Sequence, residues 1–100
     1  MSDLMDRIFE EVRAERGRQD LKFGVQRHPN GTSAKFKPMA DAARNATRAA
    51  EANGHQSWTN ILREEFWEAL SETDRARLRE ELVQVGAVVV AWIECLDADA

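Results

Sequence analysis

The sequence predicts an all-α fold of four helices, and three observations support that prediction. Helix-favouring Ala, Leu, Glu and Arg are frequent among the 100 residues, which include only five glycines, two prolines and no tyrosine. Apolar residues recur at helical spacing in separate segments. Asn, Gly, Ser and Asp stand between those segments, where they can end one helix and cap the next. The length fits a single domain over residues 1–100.

The first predicted helix covers about residues 3–22, and a long loop follows it. Residues 24–37 keep no apolar periodicity and are rich in turn-forming Pro, Asn, Gly, Thr and Ser. A loop of this length in a small domain is more often functional than a simple connection. The helix itself has one apolar side, made by Leu4, Met5, Ile8, Phe9 and Val12.

Three further helices are predicted after the loop. The second begins near Pro38, a residue favoured in the first turn, and ends at Asn53-Gly54. The third covers residues 58–70 and follows the potential cap Ser57. A tight turn then leads into a fourth helix over about residues 74–97. We expect this helix to be buried on nearly all sides, because it is apolar on more than one face.

The charge of the chain is unevenly distributed. The net charge of −4 argues against binding to nucleic-acid polymers. Residues 1–57 hold ten Lys/Arg against eight Asp/Glu (+2), whereas residues 58–100 hold four against ten (−6). The apolar run over residues 85–93 is too short for a membrane span. The single Cys95 excludes an internal disulfide and favours a reducing, cytoplasmic location.

Carboxylates interrupt the apolar stripes of the third and fourth helices. Glu65 falls in the middle of the stripe of the third helix, and Glu64 and Glu68 lie at its border. In the fourth helix, Glu81 lies at the edge of the apolar side, and Gln84 continues that side. The turn between these helices is short, so they should pair antiparallel and place Glu65 beside Glu81.

Two interpretations explain this arrangement. Carboxylates that converge in a partly buried patch repel one another, and a divalent cation with oxygen ligands, such as Mg²⁺ or Mn²⁺, would neutralise them. Alternatively, the acids are solvated or paired with arginines, since Arg77 and Glu81 are spaced i,i+4 and Glu64 is next to Arg63. The position of Glu65 in mid-stripe, with Glu81 at matching height, favours the metal.

The acidic residues resemble the EExxE…ExxD signature of the MazG-like, all-α nucleoside triphosphate pyrophosphohydrolases. The matching stretches are residues 64–68 (EEFWE) and, after the turn, residues 80–84 (EELVQ). Residues 18–32 (RQDLKFGVQRHPNGT) are similar to a segment in an actinobacterial and phage branch of that family. The resemblance covers about residues 7–97.

The resemblance implies a four-helix MazG-like bundle that uses Mg²⁺ to hydrolyse an NTP or dNTP to the monophosphate and pyrophosphate. Its implied metal ligands are Glu64 or Glu65, together with Glu68 and Glu81; we expect Glu65 to bind the metal. The general base is then a motif glutamate that is not a ligand, so Glu64 and Glu65 are the catalytic candidates. Gln84 stands where the family usually has Asp, and its amide oxygen would be a metal ligand without charge.

The substitution at Gln84 keeps other functions open. Weaker metal binding would suit a nucleotide-binding protein that sequesters or senses its ligand without hydrolysing it. A third possibility is a helical oligomerisation module whose acids form salt bridges across subunits. Metal-dependent turnover would separate the enzyme from both, and nucleotide binding without turnover would select the second.

Candidate substrate-binding residues lie in and around the loop and on the second helix. Cations there can donate to phosphate oxygens, although each can equally be a solvated surface charge. Nearly all of the basic excess of the chain lies in this region. The candidates are Lys22, Arg27, Lys35 and Lys37, then Arg44 and Arg48 one turn apart, and His28, which either reads base or sugar or is only part of a turn.

Self-association is also expected. Four helices of a 100-residue chain cannot cover a fourth helix that is apolar on more than one face, so we expect a homodimer or homotetramer. Gly86 in mid-helix is consistent with close approach of another helix. Trp58 and Trp92 lie on apolar stripes and are expected in the core, whereas Trp67 lies off its stripe and is expected at a subunit interface or in an additional contact.

Overall fold

The computed structural model describes residues 3–99, which form four α-helices and no β-strand. Helix α1 covers Asp3–Phe23, α2 covers Lys37–Ala52, α3 covers Trp58–Ser71 and α4 covers Arg75–Ala98. A short 3₁₀ helix, Ala34–Phe36, precedes α2. The all-α, four-helix fold is therefore confirmed, and the predicted bounds of the helices lie close to the observed ones.

Local hydrogen bonds explain where α2, α3 and α4 begin or end. The Ser57 hydroxyl accepts from the backbone N–H of Asn60 at 3.3 Å and caps α3. The Asp74 carboxylate accepts from the N–H of Arg77 at 3.0 Å and caps α4. Helix α2 ends before Gly54, whose φ of 72° is the left-handed conformation that glycine adopts most easily.

The irregular part of the loop is shorter than the sequence predicts. Residues 24–33 contain no helix, but Ala34–Phe36 form a 3₁₀ turn that continues into α2. The Ser33 hydroxyl accepts from the N–H of Lys35 at 3.2 Å, and the Ser33 N–H donates to the Leu70 carbonyl near the end of α3 at 2.9 Å. A turn of three residues leaves no apolar periodicity, so the sequence pattern could not reveal it.

Backbone contacts group the chain into two compact units, described here separately. Within the described residues, the first unit contains residues 3–30 and 90–99, and Ile8 is its most buried side chain. The second unit contains residues 31–89. The single domain over residues 1–100 stays a prediction.

Small side chains bring α2 and α3 together in the second unit. Ala40 and Ala43 of α2 and Ala69 of α3 are all buried, and their size lets the two backbones approach closely. The buried Thr47 hydroxyl is 2.9 Å from the Ala43 carbonyl and 3.1 Å from the Asn60 carbonyl of α3. Helix α2 is therefore held firmly against α3, and this fixes the backbone from which its polar side chains extend.

Helix α4 is less buried than the sequence predicts. Leu78 and Val90 are buried, but Leu82 and Val83 are 53% and 57% exposed. The prediction of burial on nearly all sides is therefore wrong for the single chain. The sequence shows that both faces are apolar, but it does not show how much of each face a neighbour covers.

Among the described residues, no helix is both long and apolar enough to cross a membrane.

Trp67 makes additional contacts within the chain, which is one of the two roles that the sequence predicts for it. It is half-buried in the second unit and packs against Phe36 and Phe66, with ring centroids 5.8 Å and 5.2 Å away. Phe36 belongs to the 3₁₀ turn, which the sequence pattern did not predict. An interface is therefore not needed to explain a tryptophan on this side of α3.

Candidate metal centre

Three carboxylates of α3 and α4 meet within the second unit. Glu65 and Glu68 are nearly one turn apart on α3, and Glu81 lies in the second turn of α4. One oxygen from each carboxylate lies within 4.8 Å of the other two, and all three residues are half-buried. We call these three residues the carboxylate cluster. The short turn of residues 72–74 produces the Glu65–Glu81 proximity that the sequence predicts.

Burial and like charges both oppose ionisation in this cluster. Partial burial raises the pKa of Glu65 above its usual value, and the neighbouring charges of Glu68, Glu81 and Glu64 raise it further. Partial burial also raises the pKa of Glu81, with added repulsion from Glu68, Glu72 and Glu80. The arrangement therefore favours a positive charge or a proton at this position.

Arg44 of α2 supplies one positive charge to the edge of the cluster. Its Nη2 donates to Glu68 Oε1 at 3.4 Å, and its Nη1 donates to Asp41 Oδ1 at 3.2 Å. The hydrogen bond to Glu68 is the main reason that the pKa of Arg44 is raised. Glu65 and Glu81 take part in none of the ion pairs among the described residues.

The donor atoms fit a hard divalent cation. Mg²⁺ and Mn²⁺ prefer oxygen ligands, and two ligands of an octahedral Mg²⁺ are at most about 4.2 Å apart. The three carboxylates each offer one oxygen within 4.8 Å of the other two, so small side-chain movements would bring all three onto one cation. The alternative arginine pairs, Arg77 with Glu81 and Arg63 with Glu64, are not formed among the described residues.

Other acidic groups, and one amide, lie close to the cluster residues in the sequence. Glu64 is half-buried and outside the three-carboxylate group, although its charge contributes to the raised pKa of Glu65. Gln84 follows Glu81 by nearly one turn and is exposed, and its role as a ligand stays a prediction. The sequence pattern does not indicate Glu72 as a site residue, because Glu72 lies in the turn between α3 and α4, outside the apolar stripes of both helices. Its Oε1 accepts from the N–H of Asp74 at 2.9 Å.

Three of the predicted substrate-binding residues belong to the first unit. Lys22, Arg27 and His28 are all exposed. The Lys22 ammonium lies 5.2 Å from the centroid of the Phe23 ring, and His28 Nε2 is 3.2 Å from Gln26 Oε1. The contacts of Lys22 and His28 are therefore with near neighbours in the sequence.

The other four predicted substrate-binding residues belong to the second unit. The Lys35 ammonium is 5.4 Å from the centroid of the Phe36 ring, and the Lys37 ammonium is 3.6 Å from Asp41. Arg48 is exposed and lies nearly one turn beyond Arg44 on α2. Among the described residues, Arg44 is the one of these four that contacts the cluster, through its hydrogen bond to Glu68.

The fold and this site together define an all-α protein with a candidate acidic metal centre. Comparisons with models of known protein families, with curated proteins and with solved structures give no match. The MazG-like resemblance therefore stays a prediction.

Proposed function

We propose that this chain is a Mg²⁺- or Mn²⁺-dependent nucleotide pyrophosphohydrolase that cleaves an NTP or dNTP to the monophosphate and pyrophosphate. The observation that carries the proposal is the convergence of Glu65, Glu68 and Glu81 in one half-buried patch. These three residues would hold the cation, and Gln84 would offer a neutral oxygen nearby.

A divalent cation bound there would neutralise charge on the triphosphate and lower the pKa of a coordinated water. Side chains of the protein itself would accept the proton and bind the phosphates. Glu64 lies outside the cluster and beside Glu65, so it is the candidate general base that accepts a proton from the attacking water. Cations on and before α2, including Arg44 and Lys37, would donate hydrogen bonds to the phosphate oxygens.

A panel of NTPs, dNTPs and modified nucleotides tests this proposal. Each is incubated with the purified chain and Mg²⁺ or Mn²⁺, and the products are separated to distinguish pyrophosphate from orthophosphate. We expect equal amounts of monophosphate and pyrophosphate from at least one nucleotide, and no reaction in excess EDTA. Absence of pyrophosphate across the whole panel would contradict the proposal.

Gln84 favours a second candidate function, nucleotide binding without turnover. Its amide would add no charge to the cation site, so a bound nucleotide could be retained without being cleaved. Calorimetric binding of a nucleotide that the chain does not hydrolyse over many hours would select this alternative. Turnover that depends on the cation would reject it.

The proposed enzyme forms a homodimer or homotetramer. Leu82 and Val83 are more than half exposed, and a methyl group added at Gly86 would meet none of the neighbouring atoms of residues 3–99 within 4 Å. Packing among these described residues therefore does not explain the mid-helix glycine. Light scattering at micromolar concentration should give at least twice the 11.4 kDa of one chain. A mass of one chain would contradict this assembly.

A further inference from the structure

Arg44 occupies a position from which it can contact both the carboxylate cluster and a separate acid. One arm of its guanidinium reaches Glu68 and the other reaches Asp41 on its own helix. The Arg44 and Glu68 side chains are only 32% and 24% exposed, whereas Asp41 is 47% exposed. The buried alanines and the Thr47 hydrogen bonds fix the backbone of α2 against α3, so this contact follows from the packing of the fold.

We propose that Arg44 is the built-in counter-cation of the carboxylate cluster, that it competes with a divalent cation for Glu68, and that it turns to an anionic phosphate ligand once the cation is bound. This inference rests on the proposed function. It adds to that function a specific coupling between cation binding and anion binding through one side chain.

Electrostatics gives the first half of this coupling. The Arg44 guanidinium donates a hydrogen bond to Glu68 and so neutralises part of the negative charge that would attract the metal. It would also repel a divalent cation held by the same carboxylate. Arg44 therefore weakens cation binding in the absence of any other ligand.

The shape of the guanidinium gives the second half. Its planar fork can bind phosphate oxygens with two parallel hydrogen bonds. Asp41 holds one arm at 3.2 Å, so the side chain stays near the cluster when the other arm leaves Glu68. Loss of Arg44 should then have opposite effects on the two ligands: tighter cation binding and weaker phosphate binding.

Calorimetry on the full chain tests whether loss of Arg44 has opposite effects on the affinities for the cation and for the nucleotide. Mn²⁺ is titrated alone into the wild type, Arg44→Gln and the matched control Arg63→Gln, which removes the same charge from an exposed residue of α3. A non-hydrolysable α,β-methylene nucleotide is then titrated at saturating Mn²⁺. We expect Arg44→Gln to bind Mn²⁺ about fivefold more tightly, as the loss of one competing ion pair implies. It should bind the nucleotide about tenfold more weakly. Arg63→Gln should stay near the wild type for both ligands.

A second variant protects the test against a folding defect. Arg44→Lys keeps the charge but lacks the fork, so its Mn²⁺ affinity should stay near that of the wild type while nucleotide binding weakens. Unchanged or weaker Mn²⁺ binding in a folded Arg44→Gln variant would overturn the role of Arg44 while leaving the proposed function intact. If none of the four proteins binds Mn²⁺, both the proposed function and this inference are wrong.

Discussion

The α3–α4 hairpin and the loop between α1 and α2 differ in how the chain holds their charged groups. In the hairpin, three turn residues connect two long helices, and carboxylates sixteen positions apart in the sequence meet within 4.8 Å. At the end of α1 and in the loop that follows, Lys22 and His28 contact near neighbours, and the apolar Leu21 and Val25 are 90% and 94% exposed. The fold therefore brings the acidic groups together, whereas it leaves the basic loop residues at the surface.

This difference separates two contributions to ligand binding. The carboxylate cluster is assembled before any ligand arrives, so cation binding should need little reorganisation beyond the movement of the Arg44 side chain. Exposed loop cations must be ordered by the ligand that they contact, and that ordering reduces the gain in affinity from each of them. Substitutions in the two regions should therefore change different measured quantities.

Glu65→Gln should produce the largest effect, because it removes a charge from the middle of the preassembled cluster. We expect metal-dependent release of pyrophosphate to fall by more than about 100-fold. The matched control is Glu94→Gln, which makes the same change on the first-unit part of α4. Steady-state assays of both variants decide the matter, and an equal loss in the two would show that the cluster has no special role.

Lys35→Gln should have a smaller effect and on a different quantity. It removes an exposed cation of the second unit, in the 3₁₀ turn at the end of the loop, that we expect to contact phosphate, so affinity for the non-hydrolysable nucleotide should fall about threefold to tenfold. Mn²⁺ affinity without nucleotide should not change. If calorimetry shows weaker Mn²⁺ binding in this variant, the proposed division of labour between hairpin and loop is wrong.

Gln84→Asp is a change within the hairpin that should alter the Mg²⁺ requirement. Aspartate adds a charged oxygen nearly one turn from Glu81, so the Mg²⁺ concentration for half-maximal rate should fall severalfold. The gain should be smaller with Mn²⁺, which tolerates mixed ligands better. Unchanged or weaker Mg²⁺ binding would show that Gln84, which is exposed in the single chain, does not occupy a ligand position.

The comparison also shows how far the sequence can predict such a molecule. Ser57, Asn53-Gly54 and the apolar stripes gave the helix bounds, and Glu65 with Glu81 followed from the length of one short turn. Those features depend on neighbouring positions or on a hairpin with little freedom. The contact of Arg44 with Glu68 spans 24 positions, and the packing of Phe36 on Trp67 depends on a short 3₁₀ turn. No periodic pattern encodes contacts of that kind.

The stability of the metal-free chain should show the smallest effect. Burial and like charges raise the pKa of Glu65, so the folded state binds its proton more tightly than the unfolded state does. This group therefore makes the fold less stable as the pH rises from its ordinary value of 4.5 through the raised pKa. At pH 7, Glu65→Gln should be more stable than the wild type by less than about 1 kcal/mol.

Urea unfolding in EDTA measures this difference in the free energy of unfolding. The advantage of Glu65→Gln should disappear below about pH 4, where the carboxyl is protonated in both states. Glu51→Gln, at an exposed position of α2, controls for the general loss of one negative charge. A Glu65→Gln variant that is clearly less stable at pH 7 would assign Glu65 to a structural interaction.

The most direct test of the central claim, that the hairpin carboxylates hold a divalent cation, is paramagnetic broadening in NMR spectra of the metal-free chain. Substoichiometric Mn²⁺ should first broaden the amide signals of residues around Glu65, Glu68 and Glu81. The same addition to Glu81→Gln should leave those signals much sharper. Broadening that is uniform over the acidic surface, or that begins at Glu94 and Asp97, would contradict the account.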